Sequence, residues 1–302
     1  MPRRVSAARS TSEPSLESTP EPDGSGSVAA ANLHRIAMGI EYDGSAFRGW
    51  QIQVGVRSVQ ATLEEAIGQV ADHPIRVQCA GRTDAGVHAD EQVVHFDTSA
   101  RRTERAWVLG TNVNLPPDVA VRWACPVDPQ FHARFDAQAR HYRYLIMVRA
   151  TRSPLQRDRA VWSHRPLDIE RMREAGQALV GVHDFSSFRA VACQAKSPIR
   201  HLHYLELSET DDLIELRVGA NGFLHHMVRN IAGVLMTIGR GEAPLDWTRE
   251  LLELRDRRLG GVTAPPQGLY FVRADYPEAF QLPSGPAPAP STDQHNVPRS
   301  CL

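Results

Sequence analysis

The order of apolar and polar positions divides the chain into short strands and amphipathic helices. His34–Tyr42 reads as a strand that ends in an Asp43-Gly44 turn. Val59, Leu63, Ala66, Ile67 and Val70 share one face at helical spacing, which predicts a helix over Val59–Val70. Ile75–Ala80 and Gln92–Phe96 read as strands. Ala106–Val113 is a short helix stopped by Pro116-Pro117, and Val119–Cys125 returns to strand. A second round begins near Phe131, with Tyr142–Val148 as a strand and Ile169–Leu179 as a helix. His201–Leu207 and Leu213–Val218 form a hairpin around Glu209–Asp212. Leu224, Met227, Val228, Ile231, Leu235 and Ile238 line one face of a helix over Leu224–Ile238. Leu245–Leu254 is a further helix and Gly268–Val272 a last strand. Short links between many strands favour antiparallel α+β layers over a doubly wound parallel sheet.

The two rounds imply two α+β halves, residues 33–128 and 129–277. Residues 1–32 are rich in Ser, Pro, Glu, Ala and Gly. Residues 278–302 include Pro-Ser-Gly-Pro-Ala-Pro-Ala-Pro, and both ends are expected to be disordered tails. The 302 residues are 42% hydrophobic, a globular composition, and contain no apolar run long enough to span a bilayer as a helix. Lys+Arg 34 against Asp+Glu 35 excludes a uniformly basic protein but leaves room for a local basic groove. Lys196 is the only lysine. Arginine suits phosphate and base contacts, although a GC-rich genome produces the same bias. The 4 cysteines form no Cys-x-x-Cys pair, so neither a disulfide framework nor a zinc ribbon is expected and a reduced, cytoplasmic setting is the natural reading. No apolar segment follows Arg3 and Arg4, so no secretory signal is predicted.

Three stretches carry candidate chemistry. Gly81-Arg82-Thr83-Asp84-Ala85-Gly86-Val87-His88 puts Asp84 on a loop bracketed by two glycines, between two predicted strands. Arg82, two residues away, can favour the ionised carboxylate. A plain Asp-Gly turn with a solvated charge pair reads the same residues equally well. His225-His226-Met227-Val228-Arg229-Asn230 places Arg229 beside an apolar helical stripe, where its charge needs a carboxylate partner or a route to water. On a helix, His225 and His226 diverge by about 100° and do not easily share a metal. His201 and His203 share a strand face but have no carboxylate or thiol near them in sequence, so no metal site is expected. Phe131-His132-Ala133-Arg134-Phe135 and Arg140-His141-Tyr142-Arg143-Tyr144 interleave arginine with aromatics, as phosphate contact plus base stacking would require. Cross-strand aromatic packing accounts for them too.

Taken in order, Tyr42-Asp43-Gly44, Gly49-Trp50-Gln51, Gly81 to His88, Phe131 to Phe135, His183 to Arg189 and Asn221 to Asn230 resemble the bacterial tRNA pseudouridine synthase A family. The resemblance runs from about Ile36 to Tyr276, with the N-terminal tail as an extension. It implies a fold of two halves whose antiparallel sheets join into one extended sheet, helices on one side and an RNA cleft between the halves. It implies isomerisation of uridine to pseudouridine at positions 38, 39 and 40 of the tRNA anticodon stem-loop. Asp84 is then the nucleophile, Arg229 its ionic partner, Tyr142 the residue that stacks on the target base, and Arg82 a substrate contact. No cofactor or metal is implied, and the partner is tRNA, bound by a cytoplasmic homodimer. Two other readings compete. A non-catalytic RNA-binding module explains the arginines and aromatics but not the carboxylate loop. A metal-dependent hydrolase would use Asp84, His88, His95 and Asp97.

Overall fold

The computed structural model describes residues 33–283, so the tail expected at 1–32 and most of that at 278–302 lie outside the described residues. The strands are β1 (His34–Tyr42), β2 (Gln78–Cys79), β3 (His88–Thr98), β4 (Val119–Val127), β5 (Ala139–Val148), β6 (Val161–Ser163), β7 (Gly181–Asp184), β8 (Ile199–Thr210), β9 (Leu213–Ala220) and β10 (Leu269–Asp275). The helices are α1 (Val59–Ala71), α2 (Glu104–Asn114), α3 (Ile169–Gln177), α4 (Met227–Gly239) and α5 (Trp247–Leu254). One open sheet runs β4-β1-β3-β10-β5-β9-β8-β7, with β2 added to β3 and β6 to β5. The expected α+β class holds.

Two antiparallel arrays meet at a parallel splice only two residues long, Tyr270 opposite His88 and Phe271 opposite Ala89. β10 then runs antiparallel to β5. The splice keeps one face continuous. Ile36, Met38 and Ile40 lie opposite Phe96, Val94 and Gln92, and an irregularity brings Ala89 opposite Tyr42. Phe271 continues that face from Ala89 to Tyr142, and Val218 follows on β9. The helices cover this face. Phe96 meets Trp107 of α2 edge-on at 5.4 Å, and Tyr144, Ile146 and Leu216 pack with Met172 of α3 and Ile231 and Leu235 of α4. Leu63 and Ile67 of α1 are fully buried in the first array's core. Truncating either to alanine costs about 2–5 kcal/mol.

Local chemistry sets the element ends. Ser58, Thr103 and Asp168 cap α1, α2 and α3 by accepting backbone N–H bonds. The strand expected over Ile75–Ala80 shrinks to Gln78–Cys79. The Val77 N–H donates to the Glu64 side chain at 3.1 Å and is therefore lost to a ladder. The helix expected from Leu224 begins at Met227, because His226 adopts a left-handed φ of 62° that no right-handed helix contains. The short strands β6 and β7 are not anticipated, and β7 claims His183-Asp184. Beyond β10, Glu278–Phe280 form one 3-10 turn, and Phe280 packs on Phe131 at 5.0 Å. Among the described residues, no helix is long and apolar enough to cross a membrane.

Candidate active site

The Gly81–His88 loop is fastened at both ends. The Gln92 side-chain amide accepts from the Gly81 N–H and donates to the Gly81 carbonyl, replacing a strand partner. The Tyr42 and Thr83 hydroxyls bond at 2.7 Å in the interior, and the Trp50 N–H donates to the Thr83 carbonyl at 3.0 Å. Gly49 makes that approach possible. Its φ is 97°, and a Cβ there would sit 3.0 Å from the Thr83 carbonyl oxygen. The Val87 N–H closes a turn onto the Asp84 carbonyl, with Gly86 at φ 77° in the position that requires a left-handed residue. Asp84 thus sits on a tight, braced turn with its carboxylate at a cleft of about 1630 Å³.

The opposite wall comes from α4 and the residues just before it. The Arg229 Nε donates to the Ala264 carbonyl at 2.8 Å, and its Nη1 donates to Asp84 Oδ2 at 3.0 Å. His226 Nε2 lies 3.3 Å from Oδ2, and His225 Nε2 lies 3.3 Å from Oδ1. The helical divergence expected for the two histidines does not occur. The left-handed turn at His226 brings their rings to 4.0 Å, both against Asp84. Burial pushes His226 below the ordinary imidazole range, and His225, Arg229 and Arg257 oppose its charging, against the pull of Asp84.

Tyr142, on β5, stands over the start of the same loop. A Cβ on Gly81 would lie 3.6 Å from the Tyr142 hydroxyl. Phe223 and Phe271 hold the Tyr142 ring edge-on at 5.0 and 5.2 Å. Burial, followed by the charges of Tyr42 and Asp84, raises its phenol far above the ordinary value and keeps it protonated. Arg48, Arg82, Arg134, Arg140 and Arg200 also line the cleft, with Phe135 74% exposed beside them.

The tRNA pseudouridine synthase family model matches residues 38–136 and 175–277. This chain belongs to that family. It is 61% identical over 249 residues to tRNA pseudouridine synthase A of Nitrosococcus oceani, covering 82% of this chain and 96% of that one. To the tRNA pseudouridine synthase A of Pseudomonas aeruginosa it is 59% identical over 263 residues, covering 87% and 92%. A crystal structure of an archaeal box H/ACA sRNP Nop10–Cbf5 complex overlaps 67% of this chain and 43% of its own, at 12% identity and TM-score 0.32, a likeness too slight to bear on fold or function. As a pseudouridine synthase, the protein is an isomerase of uridine in tRNA. Arg82, Asp84 and Arg229 fall inside the matched stretches, and Tyr142 lies in the span between them.

Of the expected site residues, the synthase cleft gathers Asp84, Arg229, Tyr142 and Arg82 along its walls. Arg82 lies on the cleft wall, but the pairing with Asp84 that its nearness in sequence suggested is not seen. It is exposed and, among the described residues, makes no ion pair with Asp84, which meets the Arg229 guanidinium and the ring nitrogens of His225 and His226 instead. Its charge acts on the buried Cys79 thiol instead, where it opposes the rise that burial causes. The metal-hydrolase set does not assemble. The His88 Nδ1 accepts from the Gly44 N–H, the His95 Nδ1 accepts from the Ala133 N–H, and Asp97 is taken by Arg35. Among the described residues, the donors that do converge are Asp84, His225 and His226, within 4.8 Å of one another. With the Arg229 guanidinium already on Oδ2, they form a carboxylate held by nitrogens, and a divalent ion there would lie against that cation. The convergence of the two histidines on Asp84, the Gln92 clamp and the Ala264 carbonyl were not legible as site features. Each depends on a contact far apart in sequence or on a φ value that residue type does not dictate.

Proposed function

We propose that Asp84 is the nucleophile that isomerises uridine to pseudouridine at positions 38, 39 and 40 of the tRNA anticodon stem-loop. The observation that carries this reading is the Asp84–Arg229 pair on a braced turn in the cleft. The reaction breaks N1–C1′, turns the uracil and forms C5–C1′. The proton on C5 is lost and N1 gains one, so the nucleoside keeps its atoms and oxidation state and the chemistry calls for no cofactor. An aspartate must be ionised to attack, and Arg229 holds and orients the Asp84 carboxylate through Oδ2. Because Arg229 occupies Oδ2, Oδ1 is the oxygen left for attack, whether at C1′ of the ribose or C6 of the base. Tyr142 covers the uracil by stacking. Its protonated phenol suits that role better than removal of the C5 proton.

The target nucleotide must leave the stem to reach Asp84, at a cost of a few kcal/mol. Stacking on an aromatic ring offsets about 1–3 kcal/mol of that. The cleft arginines, Arg82 among them, are placed to meet phosphates, and the exposed Phe135 offers a second π-face. The family resemblance supports a cytoplasmic homodimer with one tRNA touching both subunits, a state that sedimentation of the full chain with and without tRNA would register.

Tritium release from tRNA labelled at C5 of uridine tests the assignment. The wild-type protein is expected to release label. Asp84→Asn should bind tRNA with a similar Kd and release none, and robust turnover by that variant would end the proposal. Mapping pseudouridine in tRNA from cells with and without the protein checks the three positions.

A further inference from the structure

His88 ends the Asp84 loop and begins β3, yet its side chain serves neither metal nor substrate. It is 2% exposed and touches three separate stretches of chain. The Gly44 N–H donates to Nδ1 at 3.1 Å. That bond requires an unprotonated Nδ1 and places the ring hydrogen on Nε2. Nε2 then donates to the Asp158 carbonyl at 2.9 Å, with the Gln267 carbonyl at 3.3 Å. The ring also stacks on Tyr270 of β10 at 4.6 Å with an interplanar angle of 23°, at the parallel splice. Charged groups near the ring are Asp43, whose Oδ1 lies 3.2 Å from Nδ1, and Arg159. Burial outweighs Asp43 and holds the imidazole below its ordinary range.

The segment that receives His88 is the one that receives Arg229. Arg229 donates to the Ala264 carbonyl, and the Ala264 N–H returns a bond to the Arg229 carbonyl at 3.1 Å. The Tyr144 hydroxyl donates to the Pro265 carbonyl at 2.7 Å, and a Cβ on Gly86 would lie 3.2 Å from the Pro266 ring. Gln267 follows with His88. Five consecutive residues, 264–268, therefore bind the arginine of the ion pair near one end and the trailing edge of the Asp84 loop near the other. Gly44 closes the arrangement from the first array, since a Cβ there would collide with the Val87 carbonyl oxygen at 1.9 Å.

We infer that His88 is a positioning residue, a neutral imidazole pin that fixes the Asp84 loop against the 264–268 segment and so sets the spacing between Asp84 and Arg229. The inference rests on the reading of Asp84 and Arg229 as the reacting pair. Histidine fits the position because a single flat ring offers one acceptor and one donor on opposite sides while stacking on Tyr270. Glutamine can supply either bond but not both with the same reach. Among the described residues, the partners of His88 include none of the cleft arginines, so its loss is expected to act on rate more than on tRNA affinity.

Single-turnover kinetics on the full chain test the inference. His88→Ala is expected to lower the isomerisation rate by roughly a hundredfold, the scale of a misplacement of about 1 Å, with KM for tRNA held within about threefold. His88→Gln should recover part of the loss. In an Arg229→Lys background, where the pair is already out of register, His88→Ala should cost less than about threefold more. A merely structural residue would give additive losses and no split between rate and KM. Near-wild-type rates, or full additivity with Arg229→Lys, would overturn the pin. Should the alanine variant fail to fold, the glutamine variant is held to the same two criteria. In the wild-type protein, 15N imidazole shifts should report a neutral His88 with its proton on Nε2 at pH 7, and a charged ring or the Nδ1–H tautomer would also overturn it. Asp84→Asn run alongside separates the two ideas. Activity in that variant defeats the nucleophile reading, whereas a dead Asp84→Asn with an unimpaired His88→Ala defeats the pin alone.

Discussion

Asp97 and Asp84 each meet one arginine, and the two pairs are built differently. Arg35 spends both Nε and Nη2 on Asp97, each at 2.7 Å, and its Nη1 donates to the Phe131 carbonyl. Both oxygens of Asp97 are taken, and the pair ties β1 and β3 to the segment that follows β4. Arg229 divides itself between the Ala264 carbonyl and one oxygen of Asp84. Among the described residues, the other oxygen faces only His225, itself partly exposed. A fork that closes on a carboxylate makes it a fastener. A guanidinium anchored elsewhere and lending one N–H leaves the carboxylate oriented and available. The number of N–H groups committed distinguishes the two acids, and it is what suits Asp84 rather than Asp97 to the proposed role of nucleophile, although the residue types are the same.

Removing each arginine should therefore have opposite consequences. Arg229→Ala leaves a carboxylate without its strongest partner, an effect on the scale of 2–5 kcal/mol, so kcat should fall about a hundred- to a thousandfold. The Kd for tRNA should change only a few-fold, and Arg229→Lys should lie between; pre-steady-state tritium release measures all three. Wild-type turnover by Arg229→Ala would erase the contrast.

A smaller effect is expected from pH. Burial depresses His226 relative to its ordinary value near 6.5, so the ring is neutral at pH 7 and above and the rate should be flat there. As pH falls below about 6.5 and through that lowered value, the ring charges beside Asp84 Oδ2 and the carboxylate becomes a poorer nucleophile. A rate decline of a few-fold on the acid side, flattened in His226→Gln, sharpens the comparison. An unchanged profile in that variant would assign the acid limb to another group.

The smallest effect belongs to the fastener. Arg35→Ala should keep activity within about twofold and lose about 1 kcal/mol of stability, as partly exposed ion pairs do. The hydrogen bonds from Arg35, more than its charge, hold Asp97 below its ordinary value of 3.8. A depressed carboxylate stabilises the fold above its unfolded pKa and loses that contribution as pH falls through the folded one. The stability gap between wild type and Arg35→Ala should thus be full above about pH 4 and close below it, which urea titrations at several pH values would read.

Much of the frame was legible in the residues themselves. β1 runs from His34 to Tyr42 as expected, and α1 extends one residue past its predicted end. These elements declare themselves through local apolar periodicity. The insertion of β10 between β3 and β5 was not legible, because strand order is set by packing between distant segments. At the site, the glycine bracket marked Asp84, and the charge beside an apolar stripe marked Arg229 as seeking a carboxylate. The partnership foreseen for Arg82 failed because nearness along an extended loop does not turn two side chains toward each other. The histidine pair was hidden by the assumption that the helix already included it, which one left-handed residue undoes.

The place of β10 bears on how the molecule is made. The ribosome releases this strand after the nine others among the described residues, yet it is seated in the middle of the sheet. Until then His88–Ala89 of β3 and the Ala139–Tyr144 part of β5, which β2 and β6 do not reach, lack a partner on one side, the kind of surface that invites unwanted pairing with other nascent chains. Arrival of Leu269–Asp275 caps both edges at once, and only in that late step do the two arrays close into a single working enzyme.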